Sequence, residues 1–421
     1  LTAKTIHKLN YAFHKPLAQS QLIYKHEKGE TKMNKPINFS EKSKSQYLST
    51  AQVEAFGAKV EAIRREIMDS LGEHDAKYIY KIRNFVRYSE IASRGMLMFA
   101  GWLPPVWLLG TGLLGVSKIV ENMELGHNVM HGQFDWLNDP SLNGANYDWD
   151  TMATGPDWKY THNYIHHTYT NIVGMDHDVG YGLIRVSESQ KWEPRFLLNI
   201  PLAAQLMLFF EWYVGVQNLH IEDVIAYKTK TWAQVWEEAA PVRKKMKRQI
   251  MKDYVFFPLI AGPNAIPVFS GNAVANIIRS LWASAVIFNG HFTEDAENFE
   301  MDNTDNETRA EWYLRQIRGS SNFSGTAWLH ILSGNLSHQI EHHLFPDMPA
   351  NRYAEAAPKI KALCAEYGIH YNEASFMKQF ASVWVRIAKC SLPDDWKSEA
   401  KHYAEHAKQR AFGLLSSKLK F

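Results

Sequence analysis

The sequence predicts an all-α integral membrane protein, with about four transmembrane helices in two hairpins and a helical domain on the cytosolic side. Three observations predict it. The stretch Gly95–Val116 carries no charge and is broken by Pro104-Pro105, which a continuous helix tolerates badly. A second apolar region, Tyr254–Phe292, is again interrupted by proline and glycine, at "AGPNAIP" and "SGN". The segment just before it, "PVRKKMKRQIMKDY" (Pro241–Tyr254), is strongly basic, and loops of that kind stay on the inner side of a membrane.

Bulk composition alone would hide this. The chain has 421 residues, a formal net charge of +2 and 46% hydrophobic residues. Its mean hydropathy of −0.33 resembles that of a soluble protein, because the apolar residues are unevenly spread. A charge this close to neutral invites no nucleic-acid reading. Fourteen Trp, 19 Tyr and 21 Phe are many, and several sit at the edges of apolar runs, where amphipathic rings favour a membrane interface. Cys364 and Cys390 are the two cysteines, too few for a disulfide framework.

Taken in order, residues 1–32 are polar and basic and precede Met33, which reads as the native start behind an upstream or tail extension. Residues 33–90 read as N-terminal cytosolic helices, with a break near Gly72. Residues 91–349 read as the membrane core. The first hairpin has one helix ending near Gly101 and a second leaving from Pro104. A span needs about 20 residues, so the first must reach back toward Tyr80. The second hairpin reads as Tyr254–Phe269 followed by Asn272–Phe288, with Arg279 inside it and obliged to face the bundle or snorkel. The apolar run Phe196–Val216 must cross an even number of times and is too short to cross twice. It is therefore expected to lie in the interface or on the inner domain. Residues 350–421 read as C-terminal cytosolic helices.

Histidine is gathered into three clusters. "GHNVMHG" holds His127 and His131, "THNYIHHTYTN" holds His162, His166 and His167, and "SHQIEHHLFPDMP" holds His338, His342 and His343. Spacing of i,i+4 puts two imidazoles on one helix face, about a turn apart. The second and third clusters share the pattern H-x-x-x-H-H. One such pair is weak evidence for a metal; three clusters on one side of a membrane are not. Neutral imidazole suits zinc, copper, iron and nickel. Eight histidines overfill a zinc site of three or four ligands and suit a two-metal centre. Carboxylate-type di-iron bundles use Glu-x-x-His pairs on two helices with further glutamates, whereas the three boxes here are built from histidine.

The boxes "HNVMH", "HNYIHH" and "HQIEHH", with the apolar hairpins between them, resemble the integral-membrane fatty acid desaturases from about Arg94 to Pro349. The resemblance implies a di-iron enzyme that uses dioxygen and two electrons to remove two hydrogens from a fatty acyl chain, carried as acyl-CoA or acyl-lipid. It implies a ninth ligand, His291 in "FNGHFTE", at the inner end of the last pass. Asp176 and Asp178, flanking His177, are expected to hold ligand imidazoles by hydrogen bonds, and Glu341 to stand near the site. Within the third box, His338 is expected to bind iron from the same helix face as His342, with Gln339 hydrogen-bonding nearby. No haem domain, flavin motif or cysteine cluster is present, so a separate reductase with a ferredoxin-like or haem carrier is expected. The expected location is an integral membrane protein with the active site on the cytosolic side, in the inner membrane if bacterial. "QIEHH" is similar to enzymes that desaturate between an existing double bond and the carboxyl end, although the His-Pro-Gly-Gly motif of their fused haem domain is absent. Two rivals stay open: a membrane hydroxylase of alkyl substrates and a non-catalytic membrane metal carrier.

Overall fold

Four long helical rods bring the histidine boxes together. In the computed structural model, residues 48–225, 228–300 and 307–396 are described. The expected extension over residues 1–32 lies outside them. Helix α1 (Thr50–Met68) opens with a capping box in which Ser49 and Gln52 satisfy each other's backbone N–H groups. Helix α2 (Glu73–Ala100) follows, with Glu73 and Asp75 in its first turn, where acidic groups complement the helix dipole.

A short turn over residues 101–103 leads into α3 (Pro104–Val120), which starts with proline at its first position, where the missing N–H costs nothing. α3 runs without a break through a π-helical stretch, Glu121–Gly126, into the helical turn His127–Met130. The expected hairpin is therefore a helix pair whose second arm delivers the first histidine box. The second hairpin is built alike. Helix α7 (Ala240–Ile250) continues through a π stretch (Met251–Phe256) and the turn Phe257–Ile260, then reverses at Gly262–Asn264 into α8 (Ala265–His291).

Two expectations shift here. The rod preceding the turn covers residues 240–260 rather than Tyr254–Phe269, and "SGN" does not break α8. Gly271 serves as a contact point instead. A Cβ there would stand 2.9 Å from Leu97 Cδ1 on α2, so glycine permits close helix approach.

The apolar run Phe196–Val216 forms α4 (Asn199–Leu208) and α5 (Phe210–Val216). Ala203, Leu206, Met207 and Phe210 pack on Val286 and Phe288 of α8, while Leu197, Leu198 and Phe209 stay exposed. Helix α6 (Trp232–Glu238) precedes α7. Beyond α8 come α9 (Arg309–Gly319), strand β1 (Asn322–Ser324), α10 (Gln339–Leu344), α11 (Tyr353–Glu366), strand β2 (Glu373–Ser375) and α12 (Phe376–Cys390). β1 and β2 pair in parallel, Phe323 opposite Ala374, an element the sequence reading did not contain.

Residue 90 falls inside α2. Phe56 and Val60 of α1 share one buried cluster with Tyr313 of α9, Ile340 and Leu344 of α10, and Tyr353 and Ile360 of α11. The N-terminal and C-terminal helices thus form the wall behind the third histidine box.

The rods are tied by buried charge. Asp253 lies 2.9 Å from Lys118 of α3 and 3.2 Å from Arg94 of α2, and Lys118 also reaches Asp150 at 3.2 Å. Arg279 of α8 faces this interior, pairing with Glu211 and donating to the Asp150 carbonyl at 2.7 Å. Removing Asp253 leaves Lys118 with Asp150 alone and Arg94 with Glu90 alone, two buried cations short of a carboxylate, and breaking a buried pair costs about 3–5 kcal/mol. Asp253→Ala should therefore lower the thermal unfolding temperature of the purified protein sharply. Lys77→Ala, which removes an exposed ion pair to Glu73, should leave it nearly unchanged.

Among the described residues, no single helix is long and apolar enough to cross a membrane. One pair, Pro194–Leu208 with Phe210–Leu219, meets that test only jointly, across a 90° bend.

Candidate metal centre

Helix geometry aims the histidines at one buried volume. His127 and His131 leave the end of the 104–130 rod, their rings 4.7 Å apart. The second box is not a regular α-helix. Lys159–His166 is π-helical, and the chain tightens to α only at His167. The wider turn lets all three of its histidines face inward: the His162 and His166 rings stack at 5.1 Å, and His167 stacks on His343 at 4.5 Å. Such π stretches recur at functional sites. His342 and His343 sit on α10, and His291 is the last residue of α8.

The ring nitrogens fall into two sets. His127, His131, His162 and His342 bring one nitrogen each within 4.8 Å of one another, and His166, His291 and His343 form a second such set. His167 joins His342 and His343 in a third grouping that links the two. Closest approaches are 3.3 Å for His127 to His162, 3.3 Å for His166 to His343 and 3.1 Å for His343 to His291, all between Nε2 atoms. A metal–nitrogen bond of about 2.1 Å separates neighbouring ligand nitrogens by roughly 3.0 Å in an octahedron and roughly 3.4 Å in a tetrahedron. The observed spacings lie between those edges. The buried Nε2 atoms of His131, His167 and His342 have no hydrogen-bond partner among the described residues. Facing lone pairs without donors are costly unless a cation takes them, so these residues fit a bound metal.

The outward nitrogens are held. Asp176 Oδ2 takes the His166 Nδ1 proton at 2.9 Å, and its two oxygens also accept from the Asn171 N–H at 2.8 Å and the Asp178 N–H at 2.9 Å. Asp178 lies 3.6 Å from Nδ1 of both His162 and His166, and Gln217 donates to it at 2.6 Å. His127 Nδ1 stands 3.0 Å from Asn128 Oδ1, His342 Nδ1 3.1 Å from the Tyr353 hydroxyl, and His343 Nδ1 3.1 Å from Gln316 Oε1. Partners of this kind fix ring orientation and leave Nε2 free to ligate. The Trp158 indole stacks on His162 at 4.4 Å. Sequence reasoning did not single out Asn128, Trp158, Gln316 or Tyr353. They are ordinary polar or aromatic residues whose role appears only once distant segments meet.

Two expectations about the third box are corrected. His338 does not reach the centre. It closes a 3₁₀ turn, Leu336–His338, with φ −104° and ψ 54°, and α10 begins only at Gln339. The four-residue spacing to His342 therefore does not lie on one helix. The His338 ring stacks instead on His330 at 5.0 Å. Gln339, three residues before His342 on the same helix, takes the inward position, with Nε2 2.9 Å from His291 Nε2. Gly290 makes room for it: a Cβ there would stand 2.8 Å from Gln339 Cγ. The Glu341 carboxylate makes no hydrogen bond to a histidine among the described residues. It accepts from Asn322 of β1 at 2.8 Å and from Tyr371 at 2.9 Å, fastening α10 to the strand pair.

Burial, then mutual repulsion, holds His131, His162, His167, His342 and His343 well below the usual 6.5. Burial also opposes charge on His166, but the Asp176 and Asp178 carboxylates outweigh it and raise this group to about 9. The five depressed groups favour the fold above their unfolded value near 6.5 and penalise it as pH falls, because the unfolded chain then binds more protons. His166 acts in the opposite sense, its contribution present below 6.5 and lost as pH rises toward 9. Five groups outweigh one. Metal-stripped protein should therefore unfold at progressively lower temperature as pH drops from about 6.5 toward 5 in calorimetry. A flat profile over that window would contradict the burial of neutral rings.

A cavity opens from the centre along α8. His291, Ile287, Ala283 and Arg279 all line it, a run of about 18 Å at 1.5 Å per residue. His127, His162, His166 and Gln339 share its wall with Trp149, Trp158, Phe210 and Val214.

A helical scaffold that buries a polyhistidine centre beside an apolar cavity defines a histidine-type metal-site protein. The comparisons then place it: the chain belongs to the fatty acid desaturase family, whose model matches residues 100–375, and it is an oxidoreductase of lipid metabolism. An NADPH-dependent stearoyl-CoA 9-desaturase of Mycobacterium tuberculosis is 41% identical over 88% of this chain and 87% of its own length. A sn-1 linoleoyl-lipid 6-desaturase of Synechocystis is 27% identical over 66% of this chain and 78% of its own. The human fatty acid desaturase 3 is 24% identical over 73% and 65%.

Proposed function

We propose that this enzyme inserts the first double bond into a saturated long-chain acyl-CoA, at or near carbon 9, using two irons held by eight histidines. The observation that carries the reading is the pairing of two converging nitrogen sets with one apolar cavity. His127, His131, His162 and His342 would hold one ion and His166, His291 and His343 the other, with His167 between them and Gln339 beside the three-histidine set. When bound, a redox-active metal pair supplies the activation of dioxygen needed to remove hydrogen from an unactivated methylene. The chain's own residues position and exclude. Trp149, Trp158, Phe210, Val214, Ala283 and Ile287 enclose an acyl chain against α8 and keep water from it. Asp176 keeps its proton-accepting contact on the outer face of His166. The carbon-9 assignment is supported by the 41% identical relative, which outweighs the similarity of "QIEHH" to enzymes acting nearer the carboxyl end.

A membrane location with four passes is supported by the exposed faces of the hairpin tips. Phe99, Trp102, Leu103, Leu108 and Leu109 on the first, with Leu259, Ile260, Ile266 and Phe269 on the second, are all open to the outside. Trp102 Nε1 donates to the Pro263 carbonyl at 2.8 Å, so the tips lie side by side and form one apolar surface. Surfaces of that kind mark membrane contact. The rods' charges face one another instead, which lowers each helix's own hydropathy. The clusters then lie on the cytosolic side, where a separate reductase delivers electrons.

Expression in a host with a simple lipid profile, followed by gas chromatography, tests the reaction and position. A new 9-unsaturated product is expected, and a product only from already unsaturated substrate would reject the position. Purified protein should carry iron at two ions per chain, and should turn over stearoyl-CoA only when a reductase and carrier are added to NADPH. Zinc as the sole metal of active protein, or turnover without those partners, would reject the corresponding part.

A further inference from the structure

The rod over residues 240–260 has two faces with different business. Its inner face holds the loop beside the metal centre: Lys245 pairs with Asp148 and donates to the Trp149 carbonyl at 2.7 Å, and Lys252 pairs with Asp150. Its outer face carries a different pattern. Lys244, Lys247, Arg248, Met251 and Leu259 are exposed and, with half-buried Val255, recur every three or four residues, so they form one stripe. The stripe is cationic up to Arg248 and apolar from Met251 onward. At 1.5 Å per residue, Lys247 and Lys244 stand roughly 6 and 10 Å outside the start of the apolar part. That is the depth of headgroup phosphates relative to acyl chains.

The short helix before it completes the pattern. Trp232 and Trp236 of α6 are 60% and 67% exposed, one turn apart. The Arg243 guanidinium lies 3.9 Å over the Trp236 ring and donates to the Trp236 carbonyl, which fixes α6 against α7. Lys244 and Lys247 have no anionic partner among the described residues, and Arg248, although it reaches Asp148 at 2.6 Å, leaves its side chain 62% exposed.

We propose that α6 and the first two turns of α7 form a binding site for anionic phospholipid headgroups, with Trp232 and Trp236 seated at the interface and Lys244 and Lys247 on the phosphates. The site rests on the membrane reading given above. Two features favour lipid over an acidic protein. The basic residues are continuous with an apolar stripe on the same rod, which acyl chains match and a soluble partner does not. The exposed indoles are of the type that concentrates at bilayer interfaces.

Brominated lipids test this in the full-length protein reconstituted in phosphatidylcholine nanodiscs. The chain has fourteen tryptophans, so the signal of the two is taken as the difference from a Trp232→Phe/Trp236→Phe variant, with retained turnover verifying its fold. At equal mole fraction, brominated phosphatidylglycerol should quench that signal several-fold more than brominated phosphatidylcholine. Lys244→Gln/Lys247→Gln should erase most of that several-fold preference, because each cation near an anionic surface contributes about 1 kcal/mol, with turnover in pure phosphatidylcholine unchanged. Inorganic phosphate should not relieve the quenching. Equal quenching by both lipids, relief by free phosphate, or a preference intact in the lysine variant overturns the site while the membrane reading stands. Absence of quenching by either lipid, at these or the remaining tryptophans, takes the membrane reading down with it. A lysine variant whose lipid preference is intact but whose KM for the electron-donor protein rises shows a protein dock instead, and also overturns the proposal.

Discussion

Gln339→Ala should remove the ion of the three-histidine set and abolish desaturation, lowering bound iron from two toward one per chain, whereas His338→Ala should keep both ions and most of the activity. Gln339 is buried and stands 2.9 Å from His291, inside the same small volume as His166 and His343. Its amide oxygen has no hydrogen-bond partner among the described residues. A half-turn of the amide exchanges oxygen for nitrogen and presents that acceptor to the cation site. Loss of this group removes a donor from a set that has only three imidazoles. His338 contributes a ring stack to His330, worth about 0.5–1.5 kcal/mol of stability. Metal analysis by mass spectrometry beside product analysis decides it. Iron lost from the His338 variant and kept in the Gln339 variant would restore the expectation drawn from spacing alone.

The second large effect is expected at Asp176. Asp176→Asn keeps the size of the side chain but removes the charge that holds the His166 Nδ1 proton, and its NH₂ cannot accept from whichever backbone N–H, that of Asn171 or of Asp178, it comes to face. Replacing a carboxylate behind a metal-bound imidazole typically costs about 10–100-fold in metal affinity or activity. Iron titration should show a weakened second ion, and turnover should recover in part at high iron. Asp178→Asn should be milder, because its contacts to His162 and His166 are 3.6 Å long. Equal effects at both positions would mean that charge near the centre matters, and not the particular hydrogen bond.

The histidine boxes were legible because helical spacing is a short-range property. Two imidazoles four residues apart on a rod must share a face wherever the rod goes, and His127/His131 needed nothing more. His291 was found through a resemblance and a topological argument, since a lone histidine at a helix end has no spacing to read. His338 failed because the helix begins one residue later than the pattern suggested, and the residue preceding a helix points by its own backbone angles. Gly271 looked like a breaker and is a contact, a distinction that depends on Leu97 far away in the sequence. The π stretches that turn His162, His166 and His167 inward carry no sequence signature of their own. β1 and β2 are three residues each, too short for a period-two pattern to stand out. Tyr353, Gln316 and Asn128 belong to no motif and acquire meaning only from the rings that they meet.

The close packing of Gly290 on Gln339 has an evolutionary consequence. Position 290 borders a site residue that it cannot touch with a side chain of its own, since even a methyl group would press on Gln339. The two positions are therefore not free to drift separately: a larger residue at 290 becomes tolerable only after 339 has shortened or turned, and a shortened 339 surrenders its place beside His291. Each single step passes through a crippled intermediate, so the pair behaves as one heritable unit. Changes of ligand type in this corner of the centre are gated by a residue that performs no chemistry.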